Sequence, residues 1–177
     1  WSQFVLPASA EPAPLASAGA ACTIERTDGA VIVSNGRGFE VAIDAGSGML
    51  RSVRTDGAEL LARPLEPHFW RAPVDNDRGN RMPSRQGVWR DAGPSWSCEG
   101  VTAETDGSGN AVVRARGRLE AVAAPYEVTY TVRPSGEVHV EASMGRPGRE
   151  GIGELPRFGL RCGVDADLAS LTWYGPG

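Results

Sequence analysis

Lysine does not occur anywhere in this chain: all 18 cationic residues are arginine, set against 22 carboxylates for a formal net charge of -4. That balance leaves no basic footprint for nucleic acid, so no nucleic-acid partner is expected. The arginine bias points to GC-rich coding, although arginine also forms planar, bidentate pairs with carboxylates that lysine cannot copy. Cysteine is scarce too. Cys22, Cys98 and Cys162 are odd in number, widely spaced and without any C-x-x-C pair, which argues against a disulfide framework or a zinc site. Buried free thiols are the expectation. No stretch approaches the roughly 20 apolar residues of a membrane span, so no membrane partner is expected. Histidine is limited to His68 and His139. No long window carries a 3.6-residue apolar period, and no internal repeat is visible.

What the chain does have is glycine, proline and alternation, with 23 Gly and 13 Pro among 177 residues, a length that suits one ordinary domain. The chain opens on "WSQFVLP" without an initiator Met and closes on the turn sequence "LTWYGPG". Both ends are therefore expected to be cut from a longer protein. Residues 1–21 read as the end of a preceding domain followed by the small-residue and proline linker Ala8 to Ala21, and residues 22–177 as the domain itself.

From Cys22 onward, short β-type runs ("CTIERT", "AVIVSN", "FEVAID", "MLRSVR") are separated by Asp28-Gly29, Asn35-Gly36 and Gly46-Ser47-Gly48. Asx-Gly pairs suit tight hairpins because both central positions favour positive φ. Further on, Tyr126, Val128, Tyr130 and Val132 alternate with polar residues, as do Val138, Val140, Ala142 and Met144, and "AVVRARGRLEAV" (Ala111 to Val122) reads as a long strand. The fold class expected is all-β, with antiparallel strands in two packed sheets.

Between these halves, Arg63 to Trp96 lacks usable periodicity, and a long irregular stretch inside a compact domain is often functional. It contains "FWRAPVDNDRGN", Phe69 to Asn80. A calcium loop fails on spacing, since Gly79 falls at the fifth ligand position, Asn80 at the obligatory glycine and Gln86 at the bidentate glutamate. No metal site is assigned. As a catalytic carboxylate pair, Asp75 and Asp77 would diverge, and Arg71 and Arg78 would keep both ionised. An arginine–carboxylate network that fixes one loop conformation fits better. Trp70, Trp89, Trp96 and Trp173 could stack on a pyranose, although aromatic residues more often belong to cores. His139 with Glu141 is the one local pair for mutarotase-like chemistry, and it reads as surface. The G-x-G of Gly151 to Gly153 has no helix after it and carries no nucleotide signal.

Several of these segments together resemble the small-chain, C-terminal domain of the family-2 β-galactosidases. "FWRAPVDNDRG" is similar to the family's R-A-P-x-D-N-D-x-G run after an aromatic residue. "FEVAIDAGSGMLRSV", "LLARPLEPHFWRAP", "ELPRFGLRC" and "LTWYGPG" resemble further family segments in the same order, and "WSQFVLP" resembles the end of an immunoglobulin-like domain. The resemblance implies an incomplete supersandwich of the galactose-mutarotase-like type, part of a cytoplasmic, homo-oligomeric retaining enzyme that cleaves terminal β-galactosides. It places the catalytic glutamates, and most of the magnesium and sodium ligands, in a barrel outside this chain. No catalytic residue and no cofactor are therefore expected here, and the partners are the remaining domains of the parent, with galactoside reached through them. Arg71, Asp75, Asn76 and Asp77 would brace a loop near the parent's active site, Gly79 would hinge it, and Asn80 to Arg85 would form a mobile tip. An autonomous carbohydrate-binding module using Trp70, Trp89 or Trp96, and an aldose epimerase, are the alternatives.

Overall fold

A computed structural model describes residues 20–168 and 170. The readings of "WSQFVLP", of most of the linker, of Trp173 and of "LTWYGPG" lie outside those residues.

β1 (Thr23–Arg26), β2 (Ala30–Ser34), β3 (Phe39–Asp44), β4 (Leu50–Thr55) and β5 (Ala58–Glu59) form an antiparallel meander in sequence order. β6 (Leu61–Pro67) leaves it, and three single-turn helices follow: α1 (Asp75–Gly79), α2 (Met82–Arg85) and α3 (Val88–Ala92). A second sheet, in the order β10-β9-β8-β7, is built from β7 (Trp96–Thr105), β8 (Ala111–Leu119), β9 (Ala124–Val132) and β10 (Val138–Met144). β11 (Leu160–Val164) returns to pair antiparallel with β6 as a two-stranded ribbon. The result is an all-β sandwich with a helical excursion between the sheets.

The alternation expected for the second sheet is realised strand by strand. Ala124, Tyr126, Val128, Tyr130 and Val132 of β9 are all buried, and Ala111, Val113, Ala115 and Leu119 of β8 join them. Val31, Val33, Val41, Ile43 and Leu50 of the first sheet complete the same core. A buried hydroxyl bridges the two sheets across it. The Tyr130 hydroxyl donates to the Gly48 carbonyl at 3.1 Å and accepts from the Leu50 N–H at 3.3 Å. Gly48 is required there, because its φ is +67° and a Cβ would lie 2.4 Å from that of Ala115. Burial pushes the Tyr130 hydroxyl up to about 12, so it stays protonated and able to donate.

Several expectations need correction. Positive φ at both central residues occurs not at Asp28-Gly29 or Asn35-Gly36 but at Asp56-Gly57 (49° and 83°), the two-residue turn joining β4 to β5. Of the cysteines only Cys22 is buried; Cys98 is intermediate and Cys162 is exposed, because β11 lies in the thin ribbon with no layer to cover it. The segment Arg63 to Trp96, read as irregular, begins in β6 and holds α1, α2 and α3. Its helices are too short to print a period on the sequence.

Replacing Tyr130 by Phe keeps the ring's packing but strands a buried N–H and a buried carbonyl. A loss of about 1–3 kcal/mol in unfolding free energy is expected by urea titration, and an unchanged midpoint would show that the bridge contributes nothing.

Candidate functional site

The helical excursion is rooted in aromatic packing. The His68 N–H donates to the Gly159 carbonyl at 2.8 Å, fixing where the chain leaves β6. Burial, then the nearby Arg161 and Arg157, hold the His68 imidazole below its ordinary pKa. Phe69, fully buried, meets Trp89 at 6.1 Å between ring centroids, Tyr126 edge-on at 5.7 Å and Phe158 at 5.7 Å. Tilted and edge-to-face contacts of this kind add to the area they bury.

The charged cluster sits on that root. Both terminal nitrogens of the Arg71 guanidinium donate to the Asp77 carboxylate, at 2.5 and 2.8 Å, and the Val74 N–H donates to the same carboxylate at 2.9 Å. The fork geometry is the one that arginine offers and lysine does not. Asp77 is only 7% exposed. The hydrogen bonds from Arg71, then from Val74, hold its carboxyl below the usual range, so Asp77 is an anion that cannot act as a general acid near neutrality. It also serves as the third residue of α1, reaching back to the N–H of Val74, the residue before the helix.

The four residues expected to brace the loop do not share the work. Arg71 and Asp77 do the bracing, whereas the Asp75 and Asn76 side chains are exposed and make no hydrogen bond with any described residue. Asp75 and Asp77, two apart on a helix, point away from each other and do not form a carboxylate pair. Gly79 ends α1 in ordinary backbone and a Cβ there would meet nothing, so the geometry does not demand glycine. The left-handed residue is Arg81, with φ of 61°. Asn80 caps this reversal by accepting from the Met82 N–H at 2.9 Å, and its carbonyl accepts from the Arg85 guanidinium at 3.0 Å. The segment expected as a loose tip is pinned at its centre, since Met82 is fully buried.

The tryptophans also separate. Trp89 is 2% exposed, so neither face is open to a sugar. Trp96 is half-buried, packs edge-on against Tyr126 at 5.5 Å, and donates its indole N–H to the Ser47 carbonyl at 2.7 Å. Trp70 is half-buried and carries the Arg90 guanidinium 4.7 Å above its ring, a cation–π contact. His139 and Glu141 lie 3.8 Å apart on the outward side of β10, both exposed. Among the described residues no three His, Cys, Asp or Glu side chains converge to hold a metal ion, and no helix is long and apolar enough to cross a membrane.

Sequence reasoning missed Gln86, Arg90 and Glu154. Gln86 is buried, and its amide donates to the Glu154 carboxylate at 2.6 Å, tying α2 to a segment 68 residues away. The signal was present: Met82, Gln86, Trp89 and Ala92 are all buried and spaced four, three and three apart, an inward helical stripe hidden by one polar member and by Gly87.

The sequence profile of the family described as Beta galactosidase small chain matches residues 35–177. A beta-galactosidase of Priestia megaterium is 33% identical over 177 residues, covering 100% of this chain and 17% of that relative. The Beta-galactosidase small subunit of Latilactobacillus sakei is 32% identical over 160 residues, covering 79% of this chain and 50% of the relative. A beta-galactosidase of Halalkalibacterium halodurans is 30% identical over 144 residues, 81% of this chain and 14% of the relative. The chain thus spans half or less of the length of these relatives.

Because the folded-state pKa of Asp77 is depressed, its contribution to stability is fully present above the unfolded carboxyl value of about 3.9 and is lost as pH falls through the lowered one. Asp77→Asn is therefore expected to unfold at lower denaturant than wild type at pH 7. The gap should begin to narrow below about pH 4, where the unfolded chain's carboxyl takes up its proton, and close further as the native one protonates at its lowered value. A gap independent of pH, measured by urea midpoints between pH 7 and 2.5, would count against the ion pair as its source.

Proposed function

The chain belongs to the beta-galactosidase small-chain family, and from that premise we propose that it serves as a non-catalytic domain of a family-2 glycoside hydrolase, supporting and shaping the entrance to the parent's galactoside site. On this reading its sandwich is part of a supersandwich of the galactose-mutarotase-like type. The parent removes terminal β-D-galactosides with retention, using two carboxylates that lie in other domains. Magnesium and sodium belong mainly to those domains as well, and the parent is a cytoplasmic homo-oligomer.

The observation that carries the reading is the Arg71–Asp77 fork. A bidentate ion pair, closed by the Val74 N–H and rooted through Phe69 in the core, holds one turn of helix rigidly while presenting its outer side. Val74, Asp75 and Asn76 are exposed there, Val74 by 58%. Rigid display of polar groups from a braced loop is what positioning a neighbouring site requires. A self-contained carbohydrate-binding module finds less support, since Trp89 is buried, Trp96 is committed to Tyr126 and Ser47, and Arg90 covers one face of Trp70.

The test is a chimaera in which this chain replaces the segment it matches in the Priestia megaterium enzyme. Asp75→Ala with Asn76→Ala, both exposed, is expected to lower kcat/KM for a chromogenic galactoside by about 3- to 10-fold without moving the unfolding midpoint. Unchanged kinetics would remove the entrance role. The chain alone is expected to release no chromophore and to show no tryptophan fluorescence change with millimolar galactose, and a saturable change would favour the binding module.

A further inference from the structure

Asp77 and Gln86 are the two polar residues that the fold buries among those described, and both lie in the helical excursion. Asp77 is satisfied by Arg71, six residues away, whereas Gln86 donates its amide to the Glu154 carboxylate at 2.6 Å across 68 residues. Gln86 is also the joint of the excursion. Its N–H closes α2 on the Met82 carbonyl at 2.9 Å, and its carbonyl accepts from the Trp89 N–H of α3 at 3.0 Å.

The partner segment is shaped for this contact. Gly151 and Gly153 have φ of 71° and 68°, a left-handed backbone that other residues rarely adopt, and Ile152 between them is buried. Gly153 lies against α2 itself, since a Cβ there would stand 3.1 Å from the Arg85 carbonyl oxygen and from Gln86 Cγ. From Arg149 to Leu155 no backbone group is hydrogen-bonded to another backbone group among the described residues. Side chains hold the segment instead: Ile152 inward, the Arg149 guanidinium on the Ala121 carbonyl at 3.1 Å, and Glu154 on α2. Its own N–H, then the Gln86 amide, then Arg85 keep the Glu154 carboxyl below the usual carboxylate range, so the acceptor is an anion near neutrality. The G-x-G without a nucleotide to bind is the part of the chain that brings this anion to α2.

We propose that Gln86, Gly153 and Glu154 form a latch that positions the helical excursion for the galactoside site. Met82 and Trp89 fix the depth of the excursion by apolar burial, which has no direction of its own. The Gln86–Glu154 bond is directional, and it sets how α2 is turned over the core. Through the left-handed Arg81 and Asn80, α2 in turn sets the presentation of Asp75 and Asn76 on α1. With the latch broken the chain still folds, but the excursion samples other positions and substrate must select the latched fraction. Apparent affinity then falls by that fraction while turnover of the bound complex is kept. Gln86 and Glu154 are thus positioning residues that act through α1, and the inference rests on the entrance role of that helix.

The experiment reads steady-state kinetics and amide exchange in the same chimaera. Gln86→Glu sets two carboxylates against each other. Exchange across 82–92 is expected to quicken by at least about 10-fold, with unaltered β8 and β9 showing that the variant is folded. KM for a chromogenic galactoside is expected to rise by about 3- to 10-fold with kcat held within about twofold. Adding Glu154→Gln restores an amide–carboxylate pair with the roles reversed, and should return both readouts to within about twofold of wild type, a rescue that simple packing at Gln86 would not give. Gly153→Ala leaves both polar groups in place and should act in the same direction as Gln86→Glu. Unchanged exchange in Gln86→Glu, or no rescue by the second substitution, overturns the latch. Quickened exchange with KM unmoved overturns its link to the site. In that case a loss of kcat/KM in Asp75→Ala with Asn76→Ala leaves the entrance role standing without the latch, whereas silence there as well removes both.

Discussion

Everything in this molecule follows from where one sheet has another laid over it. The inward stripe of β9 is buried along its whole length because the first sheet lies across it, and the Tyr130 hydroxyl bridges the backbone of Gly48 and Leu50 across that layer. On β10 the same alternation is written into the sequence, but the cover stops before it is fully buried. At about 25 cal/mol per Å² of apolar surface removed from water, completing the burial of each of Val138, Val140, Ala142 and Met144 would add on the order of 1 kcal/mol. The sandwich therefore carries unburied apolar surface along both edge strands of its second sheet, since the inward Trp96, Val101 and Ala103 of β7 are half-buried as well.

The helical excursion obeys a different rule. Isolated helices of one turn do not persist in water, because nucleation fixes several dihedrals before any hydrogen bond compensates. α1, α2 and α3 exist because side chains from each are held elsewhere: Asp77 by Arg71, Met82 and Trp89 by the core, Gln86 by Glu154. Gly93 lets the end of α3 lie against β6, where a Cβ would come within 2.2 Å of the Pro67 carbonyl oxygen. The charged run is thus a brace between a core-bound aromatic root and an outward-facing turn, and of its charges those of Arg71 and Asp77 are spent internally. Exposed on its outer side are Val74, Asp75, Asn76 and Arg78.

This division explains what could be read from the residues. β2, β3, β8, β9 and β10 were legible because half-buried strands print a two-residue period. β7 was not, because a bulge between Cys98 and Gly100 shifts the period midway, and β6 was hidden by Pro64 and Pro67, which a ribbon strand tolerates and a central strand does not. The Arg71–Asp77 pairing was readable as chemistry, an arginine–carboxylate network rather than a metal loop. The silence of Asp75 and Asn76 was not, because it depends on which side of α1 faces the core. Trp89 shows the same limit: composition marks an aromatic residue as able to stack on a sugar, and only packing decides whether a face is left to do so.

The two ends of this account meet at Trp89 and Gln86. Trp89 is at once a neighbour of Phe69 beneath the charged cluster and a wall of a cleft of about 810 Å³ that Ile152 and Leu155 also line, and Glu154, which holds Gln86, lies between those two in sequence. Two contacts reach Glu154 from α2 and they are not equal. The Arg85 guanidinium lies at 3.6 Å with both groups well exposed, a geometry worth little once solvent screens it. The Gln86 amide is buried and donates to an anion at 2.6 Å, and a charge-assisted bond of that kind is roughly twice as strong as a neutral one. The position of α2 therefore depends on the 152–155 segment more than on its own exposed arginines. Whatever orders that segment also sets the pitch of the turn that leads back, through Asn80 and Arg81, to the braced carboxylate.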